Sequence, residues 1–555
     1  MNFPETNAPR KEGKEMKAHK QGTPKVVLWV IVVLLAIFVW IESTAMAQTE
    51  KAPRGGTLKI TREEPTHLNS ALITGPATAI PACQIFVGLL QFDEKFQPKP
   101  YLARKWEVSP DGLFYTFHLE KEALFHDGKP ITAADVAFSL ETVKKNHPLG
   151  VLAFEAVEKV ETPDPHTAIF KLKYPSPVPL IATHPFFLPI LPKHIYGEGE
   201  IRKHPANLKP TVGSGPFKFV EWKKGQYILL ERNENFFRKG RPYLDRIIME
   251  FISDPAAAAI AMETGTVHVA PAGFLAYPDF HRLEKMPHLA VTIIGSAAVG
   301  PRSFLGLNVR KSPLNDNKVR KAIAHSINKD FIAQEILMGF AKPAVAHLRY
   351  SSPFHNPNVQ QYEYNPNKAN QLLDEAGFKR GADGTRFDLS IDFFPGAATP
   401  KVVSEFLRED LKKTGIRGTL RTSPDLGTWV QRLSNWDYEI NYYPLSDFPD
   451  PAIGLGRLLT SKNIKKIPFT NTMGYSNPEV DRLCDEAGKE LNFEKRKKLY
   501  HRIQEILADE LPGIFITDAE WPTVYNKEFD GIPMDVWGIV NPLDTVFWRK
   551  GKVSQ

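Results

Sequence analysis

Asp447-Phe448-Pro449-Asp450-Pro451 is the segment of this chain whose residue types most invite a chemical reading. It follows an alternating stretch (Tyr438, Ile440, Tyr442) that reads as a strand, and its prolines fix an acidic loop at the strand exit. Asp450 is placed to cap a helix over residues 452–459, with Pro451 at the first helical position. Capping leaves Asp447 unexplained. Trp429, Trp436, Tyr442 and Tyr443 lie close by in sequence, as aromatic walls for a ligand or as core, and for Trp429 and Tyr443 both readings stand. His126-Asp127 suggests a metal or acid–base site. However, His126-Asp127-Gly128-Lys129 has the composition of a turn from strand to helix, and no second His sits at metal-ligand spacing. The sixteen histidines are scattered and form no H-E-x-x-H pair. Gly213-Ser214-Gly215 has neither the full glycine pattern and lysine of a phosphate loop nor the G-x-S-x-G of a nucleophile elbow, and Pro216 points to a tight turn. No nucleophile–base pair and no metal cluster emerges, so the chain is expected not to be an enzyme and to need no cofactor.

The elements that would hold these residues are mixed. Thr57-Leu58-Lys59-Ile60 reads as a first strand. Phe114 to Leu119 and the set Ala168, Phe170, Leu172 alternate as half-buried strands, and Ile247 to Ile252 forms an apolar one. Thr132 caps a helix from Ala133 to about Lys145, with Asp135 in the first turn, where the helix dipole favours an acid. Asp316 or Asn317 starts a helix bearing Val319, Ala322, Ile323, Ser326 and Ile327. Asn365-Pro366 starts another, ended by Gly377, and a third runs from Glu494 to about Glu510. Strands and helices interleave without a repeat, which argues for an α/β or α+β architecture.

The 70 Lys plus Arg against 63 Asp plus Glu leave a net charge of +7, mild for 555 residues and not clustered as a nucleic-acid face requires. Two cysteines exclude a disulfide scaffold and a Cys-rich metal site, and Cys83 and Cys484 are expected to be free thiols. Val26 to Ile41 is an uncharged apolar run of sixteen residues, short for a membrane span. Arg10, Lys11, Lys14, Lys17, Lys20 and Lys25 precede it, and Ala45-Met46-Ala47 follows as a cleavage site. Residues 1–47 therefore read as a secretory signal, with an uncleaved anchor as the alternative.

Several motifs then fall in one order. Trp106-Glu107-Val108-Ser109-Pro110-Asp111-Gly112, Phe125-His126-Asp127-Gly128-Lys129-Pro130-Ile131-Thr132, Val212-Gly213-Ser214-Gly215-Pro216-Phe217, Val319-Arg320-Lys321-Ala322-Ile323, Tyr364-Asn365-Pro366 and Asp447-Phe448-Pro449-Asp450-Pro451 resemble the solute-binding proteins of family 5. These are the dipeptide- and oligopeptide-binding proteins of ABC transporters. The resemblance implies a two-lobed α/β periplasmic binding protein fold, type II-like. Lobe I would span 55–95 and 211–304 with a subdomain inserted at 96–210, lobe II would span 305–516, and 517–555 would return to lobe I. Hinges are expected near Leu307-Asn308 and Thr517-Asp518.

It further implies a periplasmic, monomeric receptor that closes over a peptide or other small solute and hands it to an ABC permease, with no nucleic-acid partner. Nickel chelates, haem, oligosaccharides and opines are bound on the same scaffold, and a tethered sensory or chaperone-like role is a further alternative. Asp447 matches the residue that pairs with a peptide's α-ammonium group. Trp429, Tyr443, Ser446, Arg62 and Glu63 complete the expected ligand-binding set, although the charges of Arg62, Glu63 and Glu64 would equally face water.

Overall fold

The computed structural model describes residues 52–550 except Thr74, Ala272 and Ser296; the signal segment read at 1–47 lies outside the described residues. Two large sheets organise the chain. The first has seven strands, in the order Leu289–Thr292, Thr523–Asn526, Val269–Ala270, Thr57–Arg62, Arg246–Phe251, Tyr227–Arg232 and Phe217–Lys223. Its central strand, Thr57–Arg62, runs parallel to Arg246–Phe251 and to Val269–Ala270. The second has six, in the order Ala341–Pro343, Gly513–Ala519, Pro301–Leu307, Ile440–Ser446, Phe387–Phe393 and Ile416–Arg421. A separate antiparallel sheet of four strands, Ala103–Val108, Phe114–Leu119, Thr167–Leu172 and Val157–Asp164, lies in sequence between the first strand of the seven-stranded sheet and the return of the chain to it at Phe217.

The local chemistry of the elements follows the sequence. Asp135 accepts hydrogen bonds from the backbone N–H and the hydroxyl of Thr132 at 2.9 and 2.7 Å, closing a capping box on the Ala133–Asn146 helix. Asn365 caps Pro366–Glu375, Asp316 caps Asn317–Ser326, and Gly377 takes a φ of 87° beyond the former helix. Tyr115, Phe117 and Leu119 face the core. Among the described residues no helix is long and apolar enough to cross a membrane.

Two expectations are corrected. Pro301–Leu307 and Gly513–Ala519 both lie inside the second sheet, paired along their length. Leu307-Asn308 and Thr517-Asp518 therefore fall at the end of or within strands of the second sheet, where ladder pairing leaves little freedom to hinge. The helix expected at 452–459 is shorter, Leu455–Leu459. Asp450 does accept the Ala452 N–H at 2.9 Å, but its carboxylate is taken by Arg496 in two bonds of 2.7 Å. It ties the acidic loop to the Phe493–Glu510 helix as well as capping a turn.

The lobes touch. Phe448 and Ala452 of the acidic loop pack on the lobe I core, and Ile453 is fully buried in the cluster that holds Phe186, Phe187 and Trp537. Phe448 sits at φ 59° with its ring edge-on to Phe187, centroids 5.9 Å apart. His281 of lobe I lies 2.8 Å from the Met338 carbonyl of lobe II. Cys83 and Cys484 are free.

Candidate interlobe binding site

The end of the second sheet nearest lobe I assembles a charged network. Arg302 stands directly opposite Asp518 on adjacent antiparallel strands, a pairing that places two side chains side by side. Its Nε donates to Asp518 Oδ1 at 2.6 Å. Its two terminal nitrogens donate to the carbonyls of His347 and Ala346, each at 2.7 Å, and its guanidinium lies 3.9 Å from the centre of the Phe515 ring. Arg302 has no exposed surface. Burial alone would lower its pKa, but Asp447 and Asp518 outweigh that and raise it, so the guanidinium stays charged.

Asp447 follows the Ile440–Ser446 strand, whose last residue opposes Pro301, and this brings its carboxylate back onto Arg302. Its Oδ2 accepts from Arg302 Nη1 at 3.2 Å and from the Arg349 backbone N–H at 2.8 Å. Its Oδ1 has only a long 3.5 Å approach from Arg302, so lone-pair capacity remains there. Burial pushes the Asp447 carboxyl above its ordinary range, and Arg302 pulls it back. Gly454 leaves room for this loop, since an added Cβ would collide with the Asp447 carbonyl oxygen. Arg349 then reaches the end of the Gly513–Ala519 strand, donating to Ala519 O and to Glu520 Oε2 at 2.7 Å each. Tyr350 donates its hydroxyl to the other oxygen of Glu520 and its N–H to Asp518. The sequence did not point to Arg302, Arg349 or Glu520, and it pointed to Asp518 only as a hinge position. The available signal was a charge in an otherwise apolar strand, in Pro301-Arg302-Ser303-Phe304-Leu305 and Gly513-Ile514-Phe515-Ile516-Thr517-Asp518.

The other expected site residues separate from Asp447. Trp429 has no exposed surface, donates its indole N–H to Asn441 at 3.1 Å and packs edge-on to Phe394 and Tyr443. Tyr443 is buried against Phe304, Trp429 and Phe469. The core reading holds for both rings. Arg62 is also fully buried, because the strand period places it on the same face as Leu58 and Ile60. It donates to the carbonyls of Pro76 and Glu63, and burial lowers its pKa to about 9. Glu63 is exposed, while Glu64 accepts from the Trp222 indole at 2.9 Å. Ser446 bonds the Val299 carbonyl at 3.1 Å. His126 does more than fill a turn, since its ring bonds Gly213 N and Gly215 O at 3.0 Å each and fixes that loop. Among the described residues no group of three or more His, Cys, Asp or Glu could hold a metal ion.

Two cavities are lined by residues of both lobes and by the segment that follows Ala519. One, of about 200 Å³, is lined by Glu94, Ile294, Arg349, Tyr350, Glu520 and Asp535. The other, of about 310 Å³, is lined by Tyr277, Phe280, Ile336, Met338, Val402 and Trp521. Residues 97–466, which include most of the second sheet and Asp447, match the profile described as bacterial extracellular solute-binding proteins, family 5. The chain belongs to this family. As a family 5 protein it is a two-lobed binding protein of the kind that serves ABC transporters. The chain is 29% identical to the oligopeptide-binding protein AppA of Bacillus subtilis over 531 residues, 89% of this chain and 93% of AppA. The structure of the periplasmic binding protein DppA from Helicobacter pylori with the peptide STSA superposes with a TM-score of 0.76 at 27% identity, covering 90% of this chain and 99% of that one. NikZ from Campylobacter jejuni with Ni(L-His) does so equally, with a TM-score of 0.76, 27% identity and coverage of 88% and 97%. The family 5 scaffold thus holds chemically different ligands, and the fold alone does not choose among them.

Proposed function

We propose that this protein is the extracytoplasmic receptor of an ABC importer for peptides or closely related amine-bearing solutes. Asp447 is the ammonium anchor in this reading. The observation that carries it is the half-used carboxylate: Oδ2 is held by Arg302 and Arg349, while Oδ1 retains acceptor capacity at the seam between the lobes. A fixed, partly desolvated carboxylate is a strong partner for a ligand cation. The cavity beside Trp521 supplies room for side chains. The receptor acts as a monomer, delivers its ligand to a membrane permease, and is exported by residues 1–47.

Asp447→Asn should weaken binding of alanine oligomers by roughly 2–5 kcal/mol, mostly through faster dissociation, as measured by calorimetry and stopped-flow. It should also cost about 1–3 kcal/mol of stability in the unliganded protein, because Arg302 loses an ionic partner. Binding equal to the parent's would remove the peptide assignment. N-terminal sequencing of the exported protein should begin at Gln48; an intact chain in the membrane fraction would instead mark a tethered receptor.

A further inference from the structure

The hairpin tip Ser109-Pro110-Asp111-Gly112, one of the ordered motifs, belongs to the four-stranded sheet and takes no part in the site around Asp447. It is firmly built. The Gly112 N–H donates to Ser109 O at 2.8 Å, the Leu113 N–H to Asp111 Oδ1 at 3.0 Å and the Phe114 N–H to Ser109 Oγ at 2.9 Å. Pro110 suits the second position of such a turn, and Gly112 takes a φ of 68°. Loop tips normally face water, yet Gly112 is buried.

Its cover comes from the other lobe. A Cβ on Gly112 would collide with Leu491 Cδ1 and lie 3.2 Å from Pro175 Cβ. Leu491 joins the Pro478–Lys489 and Phe493–Glu510 helices. Beside it, Lys489 Nζ lies 5.5 Å from the centre of the Tyr174 ring, within cation–π range. A cavity of about 90 Å³ continues the junction, with Leu152, Ala156 and Tyr174 on one side and Pro451, Arg457 and Lys489 on the other. Pro451 belongs to the acidic loop that carries Asp447, so the junction and that loop share a wall. Among the described residues no strand of the four-stranded sheet pairs with the second sheet. The junction can therefore part without breaking a backbone ladder. A φ of 68° alone would admit Asn; the space beneath Leu491 is what admits no Cβ.

We infer that the turn at 109–112 and Leu491 form a latch, which holds the four-stranded sheet against lobe II and favours the closed arrangement whichever solute is bound. The turn thus serves closure and not recognition, and the latch is independent of the ammonium reading of Asp447.

The test is pulsed electron paramagnetic resonance on the protein without added solute, with spin labels at Lys121→Cys and Lys498→Cys, both exposed positions. Cys83 is buried, and burial pushes the Cys484 thiol up to about 12, which keeps both from the label. Leu491→Ala trims a side chain that is 38% exposed, so it folds as the parent and is the deciding variant. It should raise the ratio of long-distance to short-distance molecules about two- to fivefold, the effect of losing a part-buried leucine. Gly112→Asn should do the same, because Leu491 must turn away or the two parts must separate. The two together should open the protein no further than either alone, since both remove one contact. If Leu491→Ala leaves the distances unchanged, or if the double variant opens by the product of the two single effects, the latch falls.

Discussion

A single carboxylate shows how far burial changes residue chemistry at this site. Asp535 lines the cavity of about 200 Å³, and burial raises its carboxyl pKa from 3.8 to about 6 despite three donors directed at it. The folded state therefore binds a proton more tightly than the unfolded chain between those values. By linkage, this group's contribution is fully present below about pH 4 and is lost as the pH rises through about 6. Stability should fall by about 1–3 kcal/mol over that window. Thermal melts of Asp535→Asn should lack this part of the pH dependence. An unchanged profile in the variant would remove Asp535 as its source.

At the scale of elements, the acidic loop at 447–454 joins three structures. Asp447 ties it to the Pro301–Leu307 strand through Arg302, and Asp450 ties it to the Phe493–Glu510 helix through Arg496. The second pair is the drier on its acidic side, with Arg496 and Asp450 side chains 5% and 6% exposed while Asp447 is 14% exposed. Removing one partner of such a pair leaves a buried charge, which costs about 3–5 kcal/mol. Asp450→Asn keeps the cap to Ala452 but loses the ionic half of the bidentate bond. Its denaturant midpoint should drop with no change in m-value, and by more than that of Asp447→Asn. A loss under 1 kcal/mol would return Asp450 to a capping role alone.

For the whole molecule, the anchor loop is also one of the contacts between the lobes. Phe448 carries the loop to Phe187, and Ile453 completes the lobe I cluster, so the segment that would hold the ligand is buried by closure. Closure would then be driven partly by apolar burial. Phe448→Ala should weaken the closed state by about 1 kcal/mol, a half-buried ring contributing roughly half of full burial. Small-angle scattering of the unliganded protein should report a larger radius of gyration for the variant. Identical curves would mean that the Phe448 contact does not set the balance.

What the sequence by itself determined was local and periodic. The Thr132–Asp135 capping box, the Asn365-Pro366 helix start, the alternation of Tyr115, Phe117 and Leu119 and the ordered motifs of the family all depend on residues near one another in the chain. They were legible because capping, strand period and turn chemistry act over a few residues. Asp447 was legible as an acid that its loop did not explain. Its partners were decided only by the tertiary structure. Arg302 is 145 residues from Asp447 and 216 from Asp518, and Arg349 is 171 from Glu520. No spacing rule links them; the antiparallel register of the second sheet does. The same register put the expected hinge positions within strands or at their ends. Trp429 and Tyr443 went to the core because which face of a strand or helix is buried depends on what packs against it, and that is settled only when the second lobe folds on itself.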